Sequence, residues 1–274
     1  MKNGSKYLFL IALALSAALI SSACAGSGLR LDRHIYYSNP QYRADFEIKY
    51  NQFDSEEAEM VSQAAREALP KITQWGDFKD KLLIRIHPTH GDLEQQINRH
   101  GYPWLRGWAR YESIDLQSPR TWGGDCLKMR IERMMVHEMT HVIMYQNGGR
   151  RHNWYRKDFP LWFREGMASV TAEQADMRGP REDIRKYYIR GALDGDPISD
   201  ADTMVKEHPK IVYLVAHWAF TDLLNEFGRE KIVSIISKVG DGQRFGIAWR
   251  STLGIPLKEW QDKWRDNYSN PASS

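Results

Sequence analysis

His137 and His141 stand four residues apart in a stretch that is apolar on nearly every side, and this constrains the fold more than any other feature of the chain. Ile131, Met134, Met135, Val136, Met139, Val142 and Ile143 recur around the whole circumference of a helix predicted over 129–146. Such a helix is buried, and burying two imidazoles and the Glu138 carboxylate is costly unless something satisfies them. A step of four puts both rings on one helix face, with Cβ atoms about 6 Å apart. Two ring nitrogens then reach one metal at roughly 2 Å each. Glu138 lies about 100° further round, where its carboxylate can serve a water on the metal without ligating the metal itself. A buried hydrogen-bonded network without metal is the alternative.

A second helix is predicted over 160–175, capped by Asp158 with Pro160 in its first turn, and it carries Glu165 two turns in. A tetrahedral catalytic zinc takes three protein ligands and keeps one position open, and a carboxylate on a second helix supplies the third. His137-Glu138-Met139-Thr140-His141, followed by Leu161-Trp162-Phe163-Arg164-Glu165-Gly166-Met167-Ala168, resembles the gluzincin metallopeptidases, in particular the small bacterial peptidase-MA-like group. That resemblance implies one zinc ion on His137, His141 and Glu165, with Glu138 as general base, and hydrolysis of a peptide or protein substrate. A metzincin would place Gly and His where this chain has Met144 and Asn147, and His152 lies beyond Gly148-Gly149 in an expected loop.

The likeness extends over about 44–268 as pattern. Trp108 to Pro119 resembles the family's upper-rim strand, which pairs with extended substrate. Tyr213 to Phe220, on through Trp260 and Trp264, resembles its C-terminal helical part. A donor to the developing oxyanion is expected opposite the zinc. Tyr213 and His217 share one helix face and both qualify, Tyr being the commoner donor in related families. The family often carries an acid one turn after the third ligand; Ser169 stands there instead. No Gly-x-Met-Glu-Asn-like segment precedes the zinc helix to anchor a free amine, which favours an endopeptidase.

The fold class expected is α+β, a small mixed N-terminal sheet with packed helices followed by a helical lobe, with a cleft between. Phe46, Ile48 and Tyr50 alternate with charged residues over 44–50, and Leu82, Ile84 and Ile86 alternate up to Pro88, giving two strands; a third is read from about Trp108 to Leu116. Asp54 and Glu57 form a helix-start signature, after which Ala58, Val61, Ala64, Ala65, Ala68 and Ile72 recur at helical spacing. Beyond residue 128 helices are predicted at 181–193, 209–227, 229–239, 243–252 and 256–267, separated by glycines. The expected division is 1–24 signal, 25–43 tether, 44–147 sheet-bearing lobe with the zinc helix, 148–268 helical lobe and 269–274 tail.

Lys2 and Lys6, an apolar run from Tyr7 to Ile20 and the small residues after it read as an export signal, too short to remain as a spanning helix. Ser22-Ala23-Cys24 resembles a bacterial lipobox, which would anchor the protein to a membrane of the cell envelope through a lipid on Cys24; cleavage after Ala25, with release, is the alternative. With Cys24 lipidated or removed, Cys126 stands alone, so neither an intrachain disulfide nor a cysteine zinc cluster is expected. The net charge of +3 includes Lys2 and Lys6, leaving the rest near neutral. Arg150, Arg151, His152, Arg156 and Lys157 read as a solvated loop, and no basic stripe supports nucleic-acid binding. A zinc-bearing envelope scaffold with little or no turnover is the second functional reading.

Overall fold

The alternation read over 44–50 is a strand whose Ala44, Phe46 and Ile48 face the core, and it sits second in a five-stranded mixed sheet. The computed structural model describes residues 30–153, 159–190 and 195–269. Strands β1 (Arg33–Asn39), β2 (Ala44–Tyr50), β3 (Leu82–His87), β4 (Gly107–Ala109) and β5 (Ser113–Gln117) lie in the order β1-β2-β3-β5-β4. β2, β3 and β5 are parallel, while β1 and β4 run antiparallel on the two edges.

Two strand expectations need correction. The segment taken as a tether contains β1, which pairs Ile35 with Ile48 and Tyr37 with Phe46. The single strand read from Trp108 to Leu116 is a hairpin, with β4 turning at Tyr111 and Glu112 into β5 so that Trp108 faces Asp115. β4 therefore lies on the sheet edge, with one side unpaired by any strand among the described residues.

Helix α1 (Ser55–Ile72) crosses from β2 to β3 and buries the predicted face of Ala58, Val61, Ala64, Ala65, Ala68 and Ile72. Asp54 occupies its N-cap but caps nothing: the carboxylate instead accepts from Asn51, Ser118 and Arg120. Helix α2 (His90–Ile97), which periodicity did not reveal, is closed by a capping box between Thr89 and Asp92. Helix α3 (Leu127–Gly148) packs against α1 and buries residues 135–144 throughout, as its all-round apolar pattern required.

Helix α4 (Leu161–Thr171) is shorter than expected and ends in a Schellman turn. Glu173 takes the left-handed conformation at φ 53°, and the Glu173 and Gln174 amides return to the Val170 and Ser169 carbonyls. Helix α5 (Ala175–Arg178) follows, then α6 (Arg181–Arg190), α7 (Ala201–Met204), α8 (Pro209–Phe227), α9 (Arg229–Gly240), α10 (Phe245–Leu253) and α11 (Leu257–Ser269). Trp162 on α4 is fully buried, stacked on Trp260 of α11 at 5.3 Å and edge-on to Trp249 of α10 at 6.0 Å. One hydrophobic core runs from Ala44 to Trp264, joining the sheet-bearing and helical halves. The leading segment with Cys24, the cap expected at Asp158, the basic residues Arg156 and Lys157 and the end of the helix read to 193 lie outside the described residues. Among the described residues, no helix is long and apolar enough to cross a membrane.

Asp115 is a fully buried charge in the middle of this sheet, accepting from His87 Nε2 at 2.8 Å, Arg85 Nη1 at 3.2 Å and Arg110 Nη1 at 2.5 Å. Burial alone would raise its pKa; the His87 hydrogen bond and the two guanidinium groups outweigh it and hold the carboxyl below its ordinary 3.8. The folded state thus prefers the anion, and the stability this contributes is complete above that ordinary value. It is lost as pH falls through the lower folded value. The urea midpoint should fall as pH drops below about 4, and Asp115→Asn should flatten that limb while lowering stability at neutral pH.

Candidate metal centre

α3 and α4 cross so that three side chains converge. His137 Nε2 and His141 Nε2 are 3.3 Å apart, and Glu165 Oε2 lies 3.4 Å from each. One donor atom from each of these residues falls within a 4.8 Å group. Donors about 2.05 Å from a tetrahedral centre stand about 3.3 Å from one another, so the triangle matches the base of a zinc tetrahedron. Two imidazoles and one carboxylate are also a donor set that zinc accepts. The residues present therefore fit a single divalent ion.

The charge states follow from burial and proximity. Burial pushes the His137 ring down to about 4, against the raising effect of Glu165. His141 is also pulled down by burial, but the Glu165 carboxylate overrides this and raises it. For Glu165, burial works upward and the two imidazoles prevail, holding it well below the ordinary range as the anion a ligand must be. His141 Nδ1 is buried and finds no hydrogen-bond partner among the described residues; its ring stacks on Tyr145 at 6.0 Å.

His137 is oriented by a residue that sequence reasoning did not single out. Its Nδ1 lies 3.1 Å from Gln174 Oε1, which also accepts from Arg178 Nη2 at 2.6 Å. With Nδ1 donating, Nε2 keeps its lone pair toward the centre. The Schellman turn after α4 swings Gln174 back into this position. Arg178 Nε also donates to Ser169 Oγ at 3.0 Å, so Ser169, which replaces the expected acid, serves a different partner.

Glu138 is buried beside the triad and held from the sheet side. Its carboxylate accepts from the Ala109 backbone amide of β4, and burial pushes its pKa up to about 7. Gly107 makes this contact possible, because a Cβ there would stand 2.6 Å from Glu138 Oε1. An isolated glycine within a strand pattern marks close backbone approach, which was the available signal for this position.

The two candidate oxyanion donors part company. Tyr213 lines the same cleft as the triad, edge-on to Trp104 at 5.6 Å and beneath the Arg178 guanidinium at 4.9 Å. Burial, then the Glu165 carboxylate, raises its hydroxyl well above the ordinary value, so it stays protonated and able to donate. His217 is turned into the protein, its Nδ1 3.0 Å from Ser169 Oγ, and burial lowers it to about 4. It does not line the cleft.

The cleft has a volume of about 620 Å³ and is walled by β4, by α3 from Arg130 to Tyr145, by the first half of α4, by α5 and by the start of α8. Of the cluster read as a solvated loop, Arg150, Arg151 and His152 are exposed, and Arg151 pairs with Glu112. No protein-family model matches the chain, and no curated protein matches it.

Proposed function

We propose that this protein is a zinc-dependent peptidase of gluzincin type that hydrolyses peptide bonds through a water activated by Glu138. The observation that carries the reading is the 3.3–3.4 Å triangle of His137, His141 and Glu165 on a cleft floor, with the Glu138 carboxylate beside it. An ion held there would acidify a water and polarise the scissile carbonyl. Glu138 is placed to take the proton and to pass it to the leaving amine. Tyr213 Oη is the donor available to the developing oxyanion, and the side of β4 that no other strand pairs offers an extended substrate the main-chain groups other than the Ala109 amide, which serves Glu138. Export, with a lipid on Cys24 holding the protein at the cell envelope, belongs to the same proposal and is supported by the leading sequence pattern.

The test is metal content joined to turnover. Purified full-length protein should carry about one zinc per chain, as expected of a catalytic centre with three protein ligands. Incubated with a pool of denatured proteins, it should generate new termini that a chelator abolishes and zinc restores. Native protein free of metal would overturn the reading. Zinc-loaded protein that yields no new termini would turn it toward a binding or scaffolding role.

Gly107→Ala probes the Glu138 seat. A methyl at 107 must displace the carboxylate, since the nearest atoms are Oε1 and Cδ at 2.6 and 2.9 Å. A shift of about 1 Å in a catalytic group costs on the order of 100-fold. We expect kcat to fall by that factor while zinc stoichiometry stays unchanged.

A further inference from the structure

The cleft that holds the triad is far more cationic than a nearly neutral chain requires. Seven arginine and lysine side chains line it against three carboxylates, two of which, Glu138 and Glu165, belong to the centre itself. The third, Asp202, pairs with Arg164. Arg133 is paired with Asp176. Arg99, Arg106, Arg130 and Arg178 have no carboxylate in ion-pair contact among the described residues.

These four are nonetheless held in place. The Arg99 guanidinium lies 4.1 Å over the Trp108 ring on β4. Arg106 donates to the carbonyls of Pro103 and Leu105 at 2.8 and 3.0 Å. Arg130 reaches the Gly123 carbonyl and covers the Trp122 ring at 5.6 Å. Arg178 spends Nε and Nη2 on Ser169 and Gln174, whereas Arg106 and Arg130 donate through Nη1 alone and Arg99 is held by its ring contact, which leaves these three with guanidinium N–H groups to offer a ligand. All three are half-buried, so water compensates them only partly. Positive groups on the aromatic walls of a narrow cleft focus their field into it, and a guanidinium fork matches a carboxylate in shape.

We propose that the cleft selects acidic peptides, with Arg99, Arg106 and Arg130 receiving Asp or Glu side chains that flank the bond at the metal centre. The proposal rests on the peptidase reading for the ligand's backbone, because the unpaired side of β4 suits an extended peptide beside Trp108. The Trp108 and Trp122 rings under Arg99 and Arg130 shield one face of each guanidinium from water, which strengthens a charge-assisted bond made there.

Binding measured apart from turnover tests this. Full-length protein carrying Glu138→Gln is titrated with labelled extended peptides bearing Glu on both sides of a central Leu-Leu, and with Gln twins, each as free acid and as C-terminal amide. Anisotropy should show the Glu peptide bound at least about tenfold tighter at low salt, a gap that narrows as salt screens it. Joint replacement of Arg99, Arg106 and Arg130 by Gln should close the gap, and replacement by Lys should retain part of it; thermal melts confirm that each variant folds. Equal affinity for the Glu and Gln twins, or a gap untouched by the Gln variant, overturns the proposal. A gap that vanishes on amidation also overturns it, since the anion read would be the chain terminus. A protein that prefers Glu peptides yet never cleaves any in the wild-type form sinks the peptidase reading and leaves the acidic-peptide preference standing.

Discussion

Glu138→Gln should abolish hydrolysis, by about 1000-fold or more, while zinc content and thermal stability stay close to wild type. Gln keeps the size of the side chain and retains a carbonyl oxygen to accept from the Ala109 amide, so the seat against Gly107 survives. What disappears is the capacity to accept and return a proton. The ligand triangle lies on other residues, His137, His141 and Glu165, and none of its three edges involves Glu138. The measurement is therefore a pair: kcat/KM on a substrate the wild type cleaves, and metal per chain. An active Glu138→Gln protein with full zinc would show that another group activates the water. Loss of zinc together with activity would make Glu138 part of the ligand set.

Gly166→Ala should damage both the packing of α4 and the metal centre. A Cβ at 166 would lie 2.2 Å from the Ala216 carbonyl oxygen and 2.5 Å from Phe220 Cβ. Neither obstacle can swing aside, one being backbone and the other the root of a buried side chain. α4 would have to back away from α8, and Glu165, the adjacent residue, would move with it. Overpacking of this kind costs about 3 kcal/mol. In a domain of this size that lowers Tm by roughly 6–12 °C. Because the triangle depends on Glu165 standing 3.4 Å from both imidazoles, zinc affinity should fall by about tenfold or more as well. Differential scanning calorimetry and competitive chelation read the two effects separately. A variant with wild-type Tm and affinity would mean that α4 and α8 are less tightly registered than this geometry requires.

The longer helices were legible because burial imposes a period, whereas α2, α5 and α7, of eight and four residues, are too short to show one. The apolar circumference of α3 and the one-sided stripe of α1 appear in the sequence as directly as in the burial of their side chains. β2 and β3 were legible through alternation, with bounds that match the strands observed. β1 was not, because an edge strand exposed along one side carries little apolar signal; Tyr36 at its centre is 73% exposed. The Schellman stop after α4 was hidden because Glu173, not glycine, takes the left-handed position.

By itself the sequence determined that two histidines and a glutamate share one buried helix, and that a second helix carries another glutamate, because helical spacing is a local property. Only the tertiary structure decided that these helices cross with their donors 3.3–3.4 Å apart. It also decided that Gln174 fixes His137, that Tyr213 rather than His217 meets the cleft, and why residues 107 and 166 are glycine. Each of these is a contact between segments distant along the chain, or reached through a turn, and spacing within one element carries no information about which atoms packing brings against it.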